Sequence, residues 1–237
     1  MLRDVRHPAP AIPRQASVPA TPPAVAIAPV PGPRAAVTRA LDIVLTLAGL
    51  VVAGPVLAAG WLLARVSSPG PGLFRQQRLG RDGTPFTMLK LRTMRVNCDD
   101  AQHRRYVRGM LSGEQSAQQE GMYELTGDPR ITRVGAFLRK TSLDELPQLI
   151  NVLRGDMSLV GPRPPLAWEA EMYRAADRIR FAVRPGITGL WQVSGRSRLS
   201  MRQALDLDSD FVRHYGVGQY LTILARTVPA LLKGGAT

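Results

Sequence analysis

Lysine is almost missing from this chain. Only Lys90, Lys140 and Lys233 occur, so arginine carries nearly all of the formal charge of +13, set by 31 basic and 18 acidic residues. That surplus points to a polyanionic partner: nucleic acid, anionic lipid or a phosphorylated substrate. A compositional bias of the source would account for part of it. Cysteine is represented by Cys98 alone, which excludes an intrachain disulfide. The three histidines, His7, His103 and His214, are scattered, so no thiolate or imidazole zinc site can form. A reducing compartment fits, and any metal would take oxygen ligands, which makes magnesium the natural candidate. Aromatics make up only 5% of residues. A nucleic-acid surface interleaves its cations with such rings, so the composition leans away from one. With 237 residues there is room for one core and a tail, not for a two-domain enzyme.

Charge is absent altogether from residues 43–64, IVLTLAGLVVAGPVLAAGWLLA. As a straight helix this run would reach about 33 Å, enough to cross a bilayer core. It starts too far into the chain, and lacks the cleavage pattern, for a signal peptide. Gly54-Pro55 lies at its middle, where proline removes a backbone donor and clashes with the Val51 carbonyl, so a sharp bend is expected. Arg34 and Arg39 precede the run, and Arg65, Arg75, Arg78 and Arg81 follow it, so positive charge does not distinguish its two sides. A kinked span and a hairpin that leaves through the leaflet it entered both fit. Before the run, residues 1–38 hold nine prolines between Pro8 and Pro33, a composition that reads as a disordered, partly polyproline-II tail.

Beyond the apolar run, residues 73–94 predict two short strands joined at Asp82-Gly83. Residues 96–128 are polar and read as a surface excursion. Helices are predicted for 131–140, for about 166–180 and for 199–215. Between the last two lies a Gly/Pro-rich loop, RPGITGLWQVSGRS (184–197), and the apolar stretch 221–232 suits a membrane interface. The pattern predicts a helix-rich α+β fold: a tail (1–38), a membrane helix (39–66) and one compact folded domain with a small β-hairpin (67–237).

The most informative stretch is TSLDELPQLINVLRGDMSLVGPRP, 141–164. Ser142 and Glu145 have the spacing of a capping box, and Asp144 would favour the positive end of a helix dipole. Pro147 cannot sit beyond the first turn without cost, which moves the expected helix start toward Asp144. Either start leaves both acids at a helix N-terminus. Arg139, Lys140, Arg154 and Arg163 surround them in sequence, offering phosphate sites as well as charge balance. In Gly161-Pro162-Arg163-Pro164 the arginine is held between fixed φ angles, as a phosphate clamp would need, though a plain proline-rich turn looks the same. Arg184 and Arg196 lie among glycines and serines that let the backbone approach an anion, a composition an ordinary loop shares.

These residues carry a resemblance. DELPQLINVLRGDMSLVGPRP, RPGITGLWQVSGR, and the pattern Gln77-Arg78-x-Gly80-x-x-Gly83-x-x-Phe86-x-x-x-Lys90-Leu91-Arg92-Thr93-Met94 are similar to the bacterial sugar transferases. These are the monotopic phosphoglycosyl transferases that prime surface polysaccharide and glycoconjugate synthesis, and the match covers about residues 39–232. The resemblance implies a re-entrant membrane helix broken at Pro55, and a catalytic domain on the cytosolic face of the bacterial inner membrane. It also implies transfer of sugar-1-phosphate from a nucleoside-diphosphate sugar, UDP-linked, to polyprenol (undecaprenyl) phosphate, with release of UMP. The family's catalytic acids fall on Asp144 and Glu145, with Asp144 the nucleophile that forms an acyl phosphate. Both acids would also support Mg2+, and Glu145 would either do that or handle a proton. Arg139 and Arg163 match family arginines, and phosphate contacts are expected from them and from Lys90, Arg92, Arg184 and Arg196. The chemistry is coherent, because an ionised carboxylate needs no base, only shielding from the diphosphate it attacks.

Two features depart from the family pattern. The proline-rich tail has no counterpart, and Leu91 stands where an aromatic is usual. No set of further membrane helices precedes residue 39, so the resemblance is to the short form. A membrane-anchored basic module without catalysis remains the competing class, and an inactive relative or scaffold a third. Sugar identity is not legible, and association with further copies of the chain stays open.

Overall fold

The structure is a computed structural model that describes residues 32–96, 98, 101–112, 128–195 and 199–232. Most of the proline-rich tail, and Arg196, lie outside the described residues. The first element, helix α1, runs from Gly32 through Pro55 to Ser67 and so begins seven residues ahead of the expected membrane segment. Its middle faces outward, with Val51 and Val52 80% and 78% exposed.

Both ends of α1 are docked. At one end Thr38, Asp42 and Thr46 are buried at four-residue intervals, which places them on one face. At the other, Ala64 packs with Leu91 and Leu138, and a side chain at Gly60 would run into Leu91. A helix that only tethered a domain would need contacts at one end.

After α1 the chain folds into the predicted hairpin. Strands β1 (Leu73–Leu79) and β2 (Pro85–Leu91) pair antiparallel from Leu73↔Leu91 to Leu79↔Pro85. The turn between them holds Asp82 and Gly83 at positive φ (57° and 71°), as its sequence demands. Helix α2 (Ala101–Ser112) occupies part of the polar excursion, and it is not merely superficial: Val107, Met110 and Leu111 enter a core with Leu79, Tyr173, Phe181, Trp191 and Leu205.

Helix α3 (Arg133–Lys140) lies where the pattern predicts it and is capped by Thr132, whose Oγ1 accepts from Gly135 N at 2.9 Å. Helix α4 spans Gln148–Arg154. The single helix predicted near 166–180 is instead α5 (Ala167–Glu171) followed by a separate 3₁₀ stretch, Ala175–Ala182. Arg174 is extended between them, its N–H bonded to Asp177 Oδ2 at 3.0 Å. An acid three residues on from an extended residue starts a new helix rather than continuing the old one.

The loop at 184–197 also holds more structure than its composition suggests. Strand β3 (Ser158–Val160) pairs in parallel with β4 (Gly186–Thr188), and helix α6 (Leu190–Ser194) follows. Elements of three to five residues are too short for periodicity to reveal. Helices α7 (Met201–Arg213, capped by Ser200) and α8 (Val217–Leu232) close the fold. Phe211, Val212, Tyr220 and Ile223 from these two helices form a second core with Val160, Ala182 and Val183.

Candidate active site

Asp144 and Glu145 lie in a single 3₁₀ turn, Leu143–Glu145, between α3 and α4. The capping box does not form. Ser142 has φ 56° and makes no side-chain cap, and α4 begins only at Gln148 with Pro147 in the cap position. Pro147 forces this outcome: having no N–H, it is accepted only at a helix's very start, so the chain makes a short turn before it and a new helix after it. The acids therefore stand one turn ahead of α4 rather than in its first turn.

Lys90, next to last in β2, reaches the same place. Its Nζ is 2.8 Å from Glu145 Oε1 and 4.0 Å from Asp144 Oδ2. Asp144 is 7% exposed, whereas Glu145 is half-buried. The more enclosed carboxylate thus has the looser ammonium contact, and the more open one holds it tightly.

Arg139 comes from the last turn of α3, and its Nε donates to Thr93 Oγ1 at 3.1 Å. Close packing sets that approach. A side chain at Gly135 would run into the Thr93 carbonyl oxygen, which itself accepts from Thr132 N at 3.0 Å. Only glycine lets α3 lie this close to the end of β2.

Arg163 is half-buried between Pro162 and Pro164, in the segment that follows β3. The neighbouring backbone is equally tight, since a side chain at Gly161 would meet the Arg184 carbonyl oxygen.

Two more of the expected cations, Arg92 and Arg184, bond backbone carbonyls. Arg92 sends Nη2 to the carbonyls of Ala64 (2.9 Å) and Ser68 (2.6 Å) and Nη1 to that of Pro69 (3.0 Å), so it ties down the end of α1. Burial, and then Arg65, hold its guanidinium below the usual pKa. Arg184 donates from Nε to the Gly155 carbonyl at 2.8 Å. Burial, with Arg81 and Arg39 nearby, lowers its pKa as well. Carbonyls at helix ends compete with phosphates for arginine, and a sequence does not reveal which wins.

Sequence reasoning missed two polar groups. Asp42 Oδ1 accepts from Tyr220 OH at 2.7 Å, Leu159 N at 2.8 Å and Ser158 Oγ at 3.0 Å, while Thr38 Oγ1 and Tyr215 OH are 2.7 Å apart. The four-residue spacing of Thr38, Asp42 and Thr46 was the available signal. The second is the buried pair Arg180–Asp208, for which no spacing gives a clue because its partners are 28 residues apart.

Among the described residues no group of three or more acids, histidines or cysteines gathers to form a metal centre. Asp144 and Glu145 nevertheless suit magnesium, which takes one or two carboxylates and completes its shell with water and substrate phosphates.

Comparison with known proteins identifies the family. The model of the family "Bacterial sugar transferase" matches residues 33–234. The chain is 43% identical over 213 residues to the UDP-glucose:undecaprenyl-phosphate glucose-1-phosphate transferase of Caulobacter vibrioides, covering 85% of this chain and 73% of that protein. It is 37% identical over 195 residues to the exopolysaccharide production protein ExoY of Sinorhizobium fredii, covering 81% and 84%. It is also 39% identical over 198 residues to the galactosyl transferase CpsE of Streptococcus agalactiae serotype III, where it covers 83% of this chain but 42% of the relative. The chain thus spans well under half of some relatives and most of others. Matched along nearly all of its described length, the chain belongs to the bacterial sugar transferase family.

Proposed function

We propose that this chain transfers sugar-1-phosphate from a UDP-sugar to polyprenol phosphate at a membrane surface, with Asp144 as nucleophile and UMP as leaving group. The observation that carries the reading is the cluster of Asp144, Glu145 and Lys90, two adjacent carboxylates held by one ammonium in a turn beside Arg139. Relatives named for glucose-1-phosphate or galactose phosphate transfer to undecaprenyl phosphate support the substrate classes.

In the first step an Asp144 carboxylate oxygen attacks the sugar-bearing phosphorus. The bond from that phosphorus to the bridging oxygen breaks, and its electron pair leaves on UMP. In the second step a polyprenol phosphate oxygen attacks the same phosphorus and displaces the carboxylate. Lys90 offsets charge beside the acids, Arg139 and Arg163 bind the diphosphate, and Glu145 supports the cation or accepts the acceptor's proton. Asp144 and Glu145 would hold Mg2+, which when bound would neutralise diphosphate charge. Such transfers depend mainly on positioning and charge, so an ionised carboxylate nucleophile needs no general base.

The membrane reading rests on α1. Its exposed apolar middle lies between two ends docked on the same domain, which supports a helix that enters and leaves one leaflet; a turn at Pro55 and placement on the cytosolic face complete the proposal. In α8, Leu221 and Val228 are exposed on a face turned away from the buried Tyr220 and Ile223, and Leu231 is exposed near the helix end, which suits a helix lying in the interface.

The decisive assay incubates detergent-solubilised protein with magnesium, polyprenol phosphate and a panel of UDP-sugars and measures UMP release. One donor should be turned over, and Asp144→Asn should lose about 10⁴-fold in rate together with the covalent sugar-phosphate adduct. Absence of release from every donor, or equal release by the variant, would refute the mechanism. Topology is read by thiol labelling of Ala36→Cys and Ser68→Cys in a Cys98→Ser background. Labelling of both from the cytosolic side supports the hairpin, and labelling from opposite sides refutes it.

A further inference from the structure

The segment Pro162-Arg163-Pro164-Pro165 has three residues without a backbone N–H, so it can be held mainly through its carbonyls. All four are engaged, each by a different donor. Gly186 N bonds Pro162 O at 2.9 Å, Arg180 Nη2 bonds Arg163 O at 2.8 Å, Arg78 Nη1 bonds Pro164 O at 3.1 Å and Leu79 N bonds Pro165 O at 2.9 Å. Two of the donors are guanidiniums, and the one aimed at Arg163 itself belongs to Arg180.

Arg180 is fixed in turn. Its Nη2 also meets Asp208 Oδ2 at 2.5 Å, its Nη1 donates to Tyr173 OH at 2.7 Å, and its guanidinium carbon lies 5.1 Å from the Tyr173 ring centre. The Arg180 and Asp208 side chains are 2% and 3% exposed, so neither can reach a substrate. A buried ion pair is a poor source of net stability, because a well-packed apolar pair in the same space often does as well or better. What an apolar pair could not do is bond a carbonyl in a set direction.

We propose that Arg180, held by Asp208, is a positioning residue that fixes the Arg163 peptide and thereby aims the Arg163 side chain at the substrate diphosphate. This rests on the reading of Arg163 as a phosphate ligand. Pro162 and Pro164 remove the backbone freedom that would otherwise absorb a misplaced carbonyl, so an error at Arg163 O passes directly into the direction of its side chain. Lysine could not replace Arg180, because serving Tyr173, Asp208 and the Arg163 carbonyl together needs the planar fork of a guanidinium.

The test is a double-mutant cycle on kcat/KM for UMP release, using the donor that the UDP-sugar panel identifies. Arg163→Ala, Arg180→Lys and the double variant are compared, and each is checked by thermal unfolding in detergent. Since a misplacement of about 1 Å can cost on the order of 100-fold, Arg180→Lys should lose about 10- to 100-fold alone and little more in the Arg163→Ala background. If Arg180→Lys does not fold, Asp208→Asn takes its place with the same expectation. Equal losses in both backgrounds, with Arg163→Ala itself impaired, would show a merely structural role and overturn the inference alone. An Arg163→Ala variant as active as the wild type would refute the phosphate-ligand reading and the inference with it.

Discussion

Lys90 is bonded to Glu145 at 2.8 Å, although 55 residues separate them and β2 and a 3₁₀ turn supply them. The second acid is therefore not free to rotate, and its carboxylate is presented beside Asp144 in one direction. Lys90→Gln should lower kcat/KM for the donor by about 10- to 1,000-fold, since it removes both a preorganised charge and the tether on Glu145. Lys90→Arg should recover part of the loss. Steady-state UMP release decides, and full activity in Lys90→Gln would exclude the residue from the site.

Asp42 accepts three hydrogen bonds from β3 and α8 while lying on α1. Asp42→Ala leaves three donors without that acceptor in a buried place, and should cost about 3 kcal/mol of stability. Asp42→Asn, which keeps one acceptor oxygen, should cost less. Thermal unfolding in detergent measures both, and a shift no greater for alanine than for asparagine would contradict the ranking.

Gly135→Ala tests the close approach of α3 to the end of β2. The new methyl meets the Thr93 carbonyl, so α3 must move outward and take Arg139 away from Thr93. A loss of about 1–3 kcal/mol is expected, together with reduced activity. Ala136→Ser, at an exposed position of the same helix, should leave both unchanged.

Burial pushes the Asp208 carboxyl up to about 6, against the opposing pull of Arg180. A folded pKa above the unfolded value means that the native state binds the proton more tightly. The stability this group contributes is then fully present below about pH 4 and is lost as pH rises through about 6. The stability of the wild type relative to Asp208→Asn should therefore fall between pH 4 and 7 and level off above. Denaturant unfolding of both proteins across that range gives the difference directly, and a difference that rises with pH would reverse the sign.

The hairpin was legible because Asp82-Gly83 admits few backbone paths other than a tight turn, and Phe86, Leu89 and Leu91 supply apolar content after it. The stiffness of the segment around Arg163 was legible for the same reason, since proline fixes its own φ wherever it stands. What each cation bonds to was not. Arg92 and Lys90 are two residues apart in one motif, yet one holds the end of α1 and the other the acids, because that choice depends on groups brought in from distant parts of the chain. Pro147 was read as lying in the first turn of a helix begun near Asp144, whereas it caps a helix that begins only at Gln148. The resulting 3₁₀ turn was missed because a break can be placed before a proline or absorbed into a first turn, and the local sequence permits both. The split near Arg174 follows the same logic, with Asp177 starting a second helix where apolar periodicity suggested only one.

The two neighbouring residues Lys90 and Arg92 also have a consequence for distance. One grips the carboxylate turn and the other the end of α1, and about 7 Å of extended backbone separates them. The height of the acids above that helix end is therefore set by a spacer two residues long, with almost no slack. Under the proposed function the acceptor's phosphate has its own depth, fixed by the bilayer that holds its tail. Reaction then depends on two heights agreeing, and β2 is the ruler that sets one of them.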